Sequence, residues 1–320
     1  MNFGGSGSPV WDAVGALGPK DTDRMVGMAL DNGVNLIDTA DVYAGGESED
    51  LLGQVLGTRR REVVLATKTT ARSGPGPNDV GQSRLHVMRS LEDSLRRLRT
   101  DHIDLYQIHN LDPLTPFEES LAALDDAVRQ GKIRYVGASN LTAWQTMKAL
   151  GVSERRGWAR FSSLQSHYSL AARDIEREIV PLVADQRIGL LVWAPLVAGL
   201  LTGKFGREGT TDSGARRATL AWPPVDMERA YDVIDVLREV AARHEAPVAR
   251  VALAWVLAQP GVTSAIVGAK RPEQLEDSLA AVDLELTAQD LADLDQASAL
   301  PPEYPGWIQL PNPERFPQPA

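Results

Sequence analysis

Short apolar runs alternate with helical patterns along this chain, and that alternation constrains the fold more than any other feature. Runs at residues 34–37, 63–66 and 103–108 read as strands, and each is followed by a segment of helical periodicity. Further strand candidates at 133–137, 161–164, 190–193 and 264–267 bring the number to seven. Strands separated by helices point to a parallel sheet in an α/β, TIM-type (β/α)8 barrel, where polar residues at the strand C-termini converge on one mouth. At or just past those ends stand Asp38, Tyr43, Lys68 and His109. Four ionisable groups there suggest catalysis.

The length of 320 residues suits one barrel domain over residues 1–320. A net charge of -10 opposes phosphate-backbone binding, and the basic stretch 59–61 reads as a solvated turn because Glu62 and a strand follow it. The absence of cysteine excludes disulfide and thiolate chemistry and fits a reducing compartment. The first twenty residues have no signal-peptide pattern, and the longest apolar stretch, 189–203, is broken by Pro195 and falls short of the ~20 residues of a membrane span. The expectation is a cytoplasmic protein with neither nucleic-acid nor membrane partners.

Between 83 and 99 the residues Leu85, Met88, Leu91, Leu95 and Leu98 form a helical stripe, with Arg89, Arg96 and Arg97 on the wet side. Thr115, Pro116 and Glu118 have the form of an N-cap, a first-turn proline and a capping-box acid. Helices are also expected over 226–242, 247–258, 272–281 and 288–297. Segments 72–81, 206–225 and the tail 301–320 read as irregular, and loops at a barrel mouth shape substrate pockets, so the tail is expected near that pocket. A closed barrel needs eight strands, yet residues 1–19 hold no run of four apolar residues. The first strand is therefore missing or replaced.

The four mouth residues permit carbonyl reduction, in which a hydride reaches carbon while an acid protonates oxygen, with no metal required. Tyr43 can be that acid, since an adjacent Lys68 ammonium stabilises phenolate and lowers the phenol's pKa. Asp38 would hold Lys68 charged, and His109 would orient the carbonyl oxygen. Taken singly, an Asp or Lys after a strand is as readily a cap or a salt bridge. The combination on three successive strands is what points to chemistry.

The segments Asp38-Thr-Ala-Asp-Val-Tyr43, Gly46-Glu-Ser-Glu49, Ala66-Thr-Lys68 and Asp104-Leu-Tyr-Gln-Ile-His109 resemble the aldo-keto reductases. The resemblance continues through the run ending in Ser139-Asn140, Leu164-Gln165-Ser-His-Tyr168, Trp193-Ala-Pro-Leu196, Gly203-Lys204 and Ile266-Val-Gly268, nearly the whole chain in order. It implies an NADPH-dependent reductase of a small carbonyl substrate, of the branch that includes the potassium-channel β subunits. By position it assigns Tyr43 as proton donor, Lys68 as its tuning lysine, Asp38 as supporting acid and His109 as the orienting histidine. Ser139, Asn140 and Gln165 would bind the nicotinamide carboxamide and Trp193 would stack on its ring. Leu196, Gly199, Gly203 and Lys204 match the pyrophosphate loop and Gly268, Lys270 and Gln274 the adenosine end, with Ala194, Pro195, Asp277 and Ser278 as further cofactor-binding positions. Lys270 and Arg271 before a helix start favour NADPH over NADH.

Ala194, Asp277 and Ser278 depart from frequent family residues, and the family's N-terminal hairpin and first strand align before Met1. Two explanations stand: a shortened member whose sheet edges are covered by another segment or by another copy in a homo-oligomer, or a misassigned start codon. Two other activities also stand beside reduction. Lys68 could form a Schiff base in a lyase, although Asp38 should keep it protonated. Alternatively, the chain could bind the cofactor as a regulatory subunit without turnover.

Overall fold

In a computed structural model that describes residues 1–5, 7, 9–210 and 216–308, all seven expected strands are present. They are β1 (Leu36–Asp38), β2 (Val64–Thr69), β3 (Ile103–Ile108), β4 (Ile133–Ser139), β5 (Phe161–His167), β6 (Gly189–Trp193) and, after a two-residue hairpin of β7 (Phe205–Gly206) and β8 (Gly209–Thr210), β9 (Val262–Ile266). The sheet runs β1-β2-β3-β4-β5-β6-β9 with every pair parallel, a nearly closed barrel. Helices pack outside, and one large apolar cluster fills the space between them and the strands. Among the described residues β1 and β9 each lack a partner strand on one side. The N-terminal residues contribute a single bridge, Phe3 with Leu17.

Several boundaries differ from the expectations in an instructive way. The strand expected at 34–37 is displaced to Leu36–Asp38, and β2 runs on to Thr69, so Asp38 and Lys68 lie within strands rather than after them. The helix Arg84–Arg97 starts at its Ser83 cap, but its buried face carries Val87, Leu91 and Leu95 while Leu85 is exposed. Thr115 does not cap the helix Phe117–Arg129: Pro116 occupies that place, and the Thr115 hydroxyl donates to Asp112 instead. Asp226 is the true cap of Met227–Arg243, accepting from the amides of Glu228 and Arg229. Segment 206–225 holds the β7–β8 hairpin and a short helix, Arg216–Thr219; residues 211–215 lie outside the described residues. The described part of the tail is tied to Arg177 through Glu303 and the Pro301 carbonyl and lines no part of the central cavity; residues 309–320 lie outside the described residues.

Inward-facing side chains recur every second residue along a strand, which stacks the barrel interior into layers. Leu36, Ala66, Leu105, Leu191 and Ile266 form an apolar cluster inside. Two residues further along four of those strands come Asp38, Lys68, Gln107 and Trp193, with Gln165 beside them on β5. A polar layer thus rests on an apolar floor. Gly137 makes room for it, since a Cβ there would sit 3.0 Å from the Gln107 side chain and 2.9 Å from Ser163 Oγ.

Candidate active site

Lys68 is fully buried, and an ammonium there is tolerable only with matched acceptors. It has them: Nζ donates to Asp38 Oδ2 at 2.5 Å and to the Thr39 carbonyl at 2.8 Å, with Tyr43 Oη at 3.4 Å. Asp38 is in turn held by two amides, Gln165 Nε2 at 3.0 Å and Gln107 Nε2 at 3.3 Å on its other oxygen. Burial works against the Lys68 charge, but Asp38 and Tyr43 together leave its pKa raised. The lysine is a locked cation. That arrangement counts against a Schiff-base role, which needs a neutral amine.

Tyr43 follows β1 in a tight turn, Tyr43–Gly46, whose Ala44 and Gly45 adopt left-handed backbone. Its ring lies 5.7 Å from that of His109, edge to face, and 6.3 Å from that of Trp11. The phenol's pKa is raised, not lowered as expected. Burial raises the phenol's pKa and outweighs the opposing pull of Lys68, so the group stays protonated through neutral pH. A phenol that keeps its proton is still a donor, and the ammonium 3.4 Å away is in place to stabilise the oxygen that has given it up. His109 is held neutral, its pKa pushed down to about 3 by burial and then by Lys68. A neutral imidazole can donate a hydrogen bond without competing as an acid.

A cavity of about 1270 Å³ opens over this tetrad. Asp38, Tyr43 and His109 line it, as do all of the expected cofactor residues except Gly203, which packs against Val248. Asn140 ties the rim together: its side-chain nitrogen donates to the His109 carbonyl at 3.0 Å and its oxygen accepts from Trp193 Nε1 at 2.9 Å. It is not a helix cap, a role filled by Thr142 with Gln145. Ser139 donates to the Gln165 carbonyl. Beyond β6 the backbone of Ala194, Val197 and Ala198 takes positive φ, as do Gly199 and Gly203. For Val197, a β-branched residue, that conformation is strained, and backbone strain of this kind clusters at ligand clamps and active sites. At the far end Lys270 precedes the helix Pro272–Leu279, where Gln274 accepts from the Lys270 amide and Asp277 pairs with Arg250. Ser278 donates back to the Gln274 carbonyl.

Three site residues were missed from sequence: Gln107, which holds Asp38, and the cavity-lining Trp222 and Arg216. Gln107 shares the inward phase with Leu105 and His109, a period-two signal that would have found it. Trp222 and Arg216 sit in the irregular segment, where no periodicity exists to read. Trp222 stacks on Trp193 with centroids 5.2 Å apart and planes 10° apart. His167 stacks on Trp193 as well, at 4.6 Å, but does not line the cavity, so Trp222 is the ring that covers the cavity side.

Residues 1–299 match the family model described as the aldo/keto reductase family. The uncharacterized oxidoreductase YrpG of Bacillus subtilis is 37% identical over 90% of this chain and 91% of its own length. Versiconal hemiacetal acetate reductase of Aspergillus parasiticus is 32% identical over 94% of this chain and 93% of its own. A probable voltage-gated potassium channel subunit beta of Arabidopsis thaliana is 35% identical, covering 84% of each chain. Among the described residues no helix is long and apolar enough to cross a membrane.

Proposed function

Because this chain belongs to the aldo/keto reductase family of oxidoreductases, we propose that it reduces an aldehyde or ketone to the alcohol with NADPH. The observation that carries the reading is the buried chain Gln107 and Gln165 to Asp38, Asp38 to Lys68, Lys68 to Tyr43, ending in a protonated phenol at the cavity wall. The likeness to a versiconal hemiacetal acetate reductase supports it. When bound, NADPH supplies the hydride that reaches the carbonyl carbon. Tyr43 gives its proton to the carbonyl oxygen, and Lys68 stabilises the phenolate left behind. Asp38 keeps Lys68 charged and fixed, while neutral His109 donates a hydrogen bond to the same carbonyl oxygen.

The residues fit the cofactor. The strained loop from Ala194 to Lys204 offers backbone close to the cavity for a pyrophosphate, and Ser139, Asn140 and Gln165 offer amide-matching groups beside Trp193. Lys270 and Arg271 at a helix start support a 2′-phosphate, hence NADPH. Incubating the purified protein with NADPH and a panel of small aldehydes, and following loss of reduced cofactor together with alcohol formed, tests the assignment. Stoichiometric alcohol is expected; tight NADPH binding with no turnover on any aldehyde would instead favour a regulatory subunit.

Trp222 gives this reading a second measurable consequence. For a nicotinamide to stack on Trp193 from the cavity side, Trp222 must leave. Aromatic stacking contributes ~0.5–1.5 kcal/mol, so Trp222→Ala is expected to tighten NADPH binding by roughly twofold to tenfold. A titration of cofactor fluorescence on both proteins measures it; unchanged or weaker binding in the variant would mean that the nicotinamide does not use that face.

A further inference from the structure

Buried or half-buried arginines in this protein are matched to acceptors. Arg60 meets Asp104, Arg97 meets Glu49, Arg173 meets Glu176 and Asp295, Arg250 meets Asp277, and Arg217 donates to the Pro223 carbonyl. Arg216 departs from this rule. Its Nε is occluded from solvent and has no acceptor, and no hydrogen bond or ion pair joins its guanidinium to the other described residues. With a net charge of -10, acids for pairing are not scarce, so an unmatched cation in a partly desolvated place is not a matter of composition.

Its position says what it faces. Arg216 lines the same cavity as Asp38, Tyr43 and His109. The short helix Arg216–Thr219 that carries it packs against the loop Val197–Thr202 and against the helix Pro9–Val14, whose Trp11 ring lies beside Tyr43. The guanidinium therefore belongs to the wall of the cavity that Tyr43 also lines, on a helix that packs against the loop proposed for the pyrophosphate. Burial alone depresses its pKa, as expected for a cation awaiting its counter-charge, and Arg216 and Lys68 both act on the Met1 ammonium.

We infer that Arg216 is an oxyanion receptor of the catalytic cavity, matched to a carboxylate or phosphate on a molecule bound there. A planar guanidinium recognises such a group through paired N–H donors, and the match is strongest where water is excluded. Two molecules can bring the anion: a carbonyl substrate that carries an acid group, or the cofactor through its pyrophosphate. Lining one cavity with Tyr43 and His109 favours the substrate, and Lys204 already lines the cavity on the loop side. The inference rests on the carbonyl-reduction reading for its choice of substrate probes.

The test compares wild type, Arg216→Gln and Arg216→Lys with 4-carboxybenzaldehyde and benzaldehyde as a matched pair, beside an NADPH titration that needs no turnover. The expected result is that Arg216→Gln loses about tenfold more kcat/KM on the carboxylated aldehyde than on the neutral one, with part of the discrimination restored by Arg216→Lys. If instead NADPH affinity falls about tenfold and both aldehydes lose equally, the receptor is for the cofactor and the substrate assignment is overturned. If neither NADPH affinity nor the ratio between aldehydes changes, Arg216 is no receptor at all. Failure of wild type to turn over either aldehyde would strike the proposed activity, and the NADPH arm would still report on Arg216.

Discussion

Tyr43→Phe is expected to lower kcat by about a thousandfold, within the range that general-acid catalysis supplies, while NADPH affinity stays within about twofold. The substitution removes one oxygen whose protein partner is Lys68 Nζ at 3.4 Å. Lys68 keeps Asp38 and the Thr39 carbonyl, and a phenylalanine ring keeps the cation 5.0 Å from its centroid. The contacts with His109 and Trp11 are made by ring faces and edges that the variant retains. Folding stability should therefore hardly move, and any loss of rate belongs to the chemical step. Steady-state kinetics at saturating cofactor, beside the titration, measure both quantities. A variant that turned over like wild type would show that the proton comes from elsewhere, with His109 a poor substitute because burial keeps it unprotonated.

The barrel was legible because its strands are apolar runs of the right length, separated by helices with a clear stripe. Seven of them could be counted in advance, as could the unpaired edges at β1 and β9. The tetrad was legible too, since each member sits at or near the end of a strand. What remained hidden is set by tertiary surroundings. The phenol's raised pKa depends on how deeply Tyr43 is buried, which no local pattern encodes, and burial there outweighs the lysine that sequence reasoning emphasised. Gln107 looked like an ordinary strand residue because its partner, the Asp38 carboxylate, lies two strands over and 69 positions away in the chain. Trp222 and Arg216 lie in a segment whose conformation is set by what it packs against. Thr115 misled because its hydroxyl donates to the Asp112 carboxylate instead of accepting from the amides of the helix start.

The ion pair at the centre of the site is expected to dominate stability as well as rate, and the two can be separated. Lys68→Met leaves the Asp38 carboxylate with its two glutamine amides but no counter-charge, and Asp38→Asn leaves a fully buried ammonium with neutral acceptors alone. Breaking one side of a buried pair costs about 3–5 kcal/mol, because the other charge stays behind without compensation. Asp38→Asn should be the worse of the two, since the ammonium left behind is fully buried whereas the Asp38 carboxylate lines the cavity. The double variant removes both charges at once and is expected to be no less stable than the better single variant, so the coupling should far exceed the ~0.5 kcal/mol scatter of independent sites. Urea unfolding of the four proteins at pH 7 gives the cycle. The folded-state pKa of Lys68 is raised, so its contribution is fully present there and fades only as the pH climbs above its ordinary value of 10.5. Additive costs in the singles would show that the two groups are not a coupled pair. Activity should behave differently: restoring stability in the double variant returns neither the cation beside Tyr43 nor the carboxylate that fixes it. Such a protein, well folded and unable to reduce an aldehyde, would separate the structural work of the pair from its part in proton transfer.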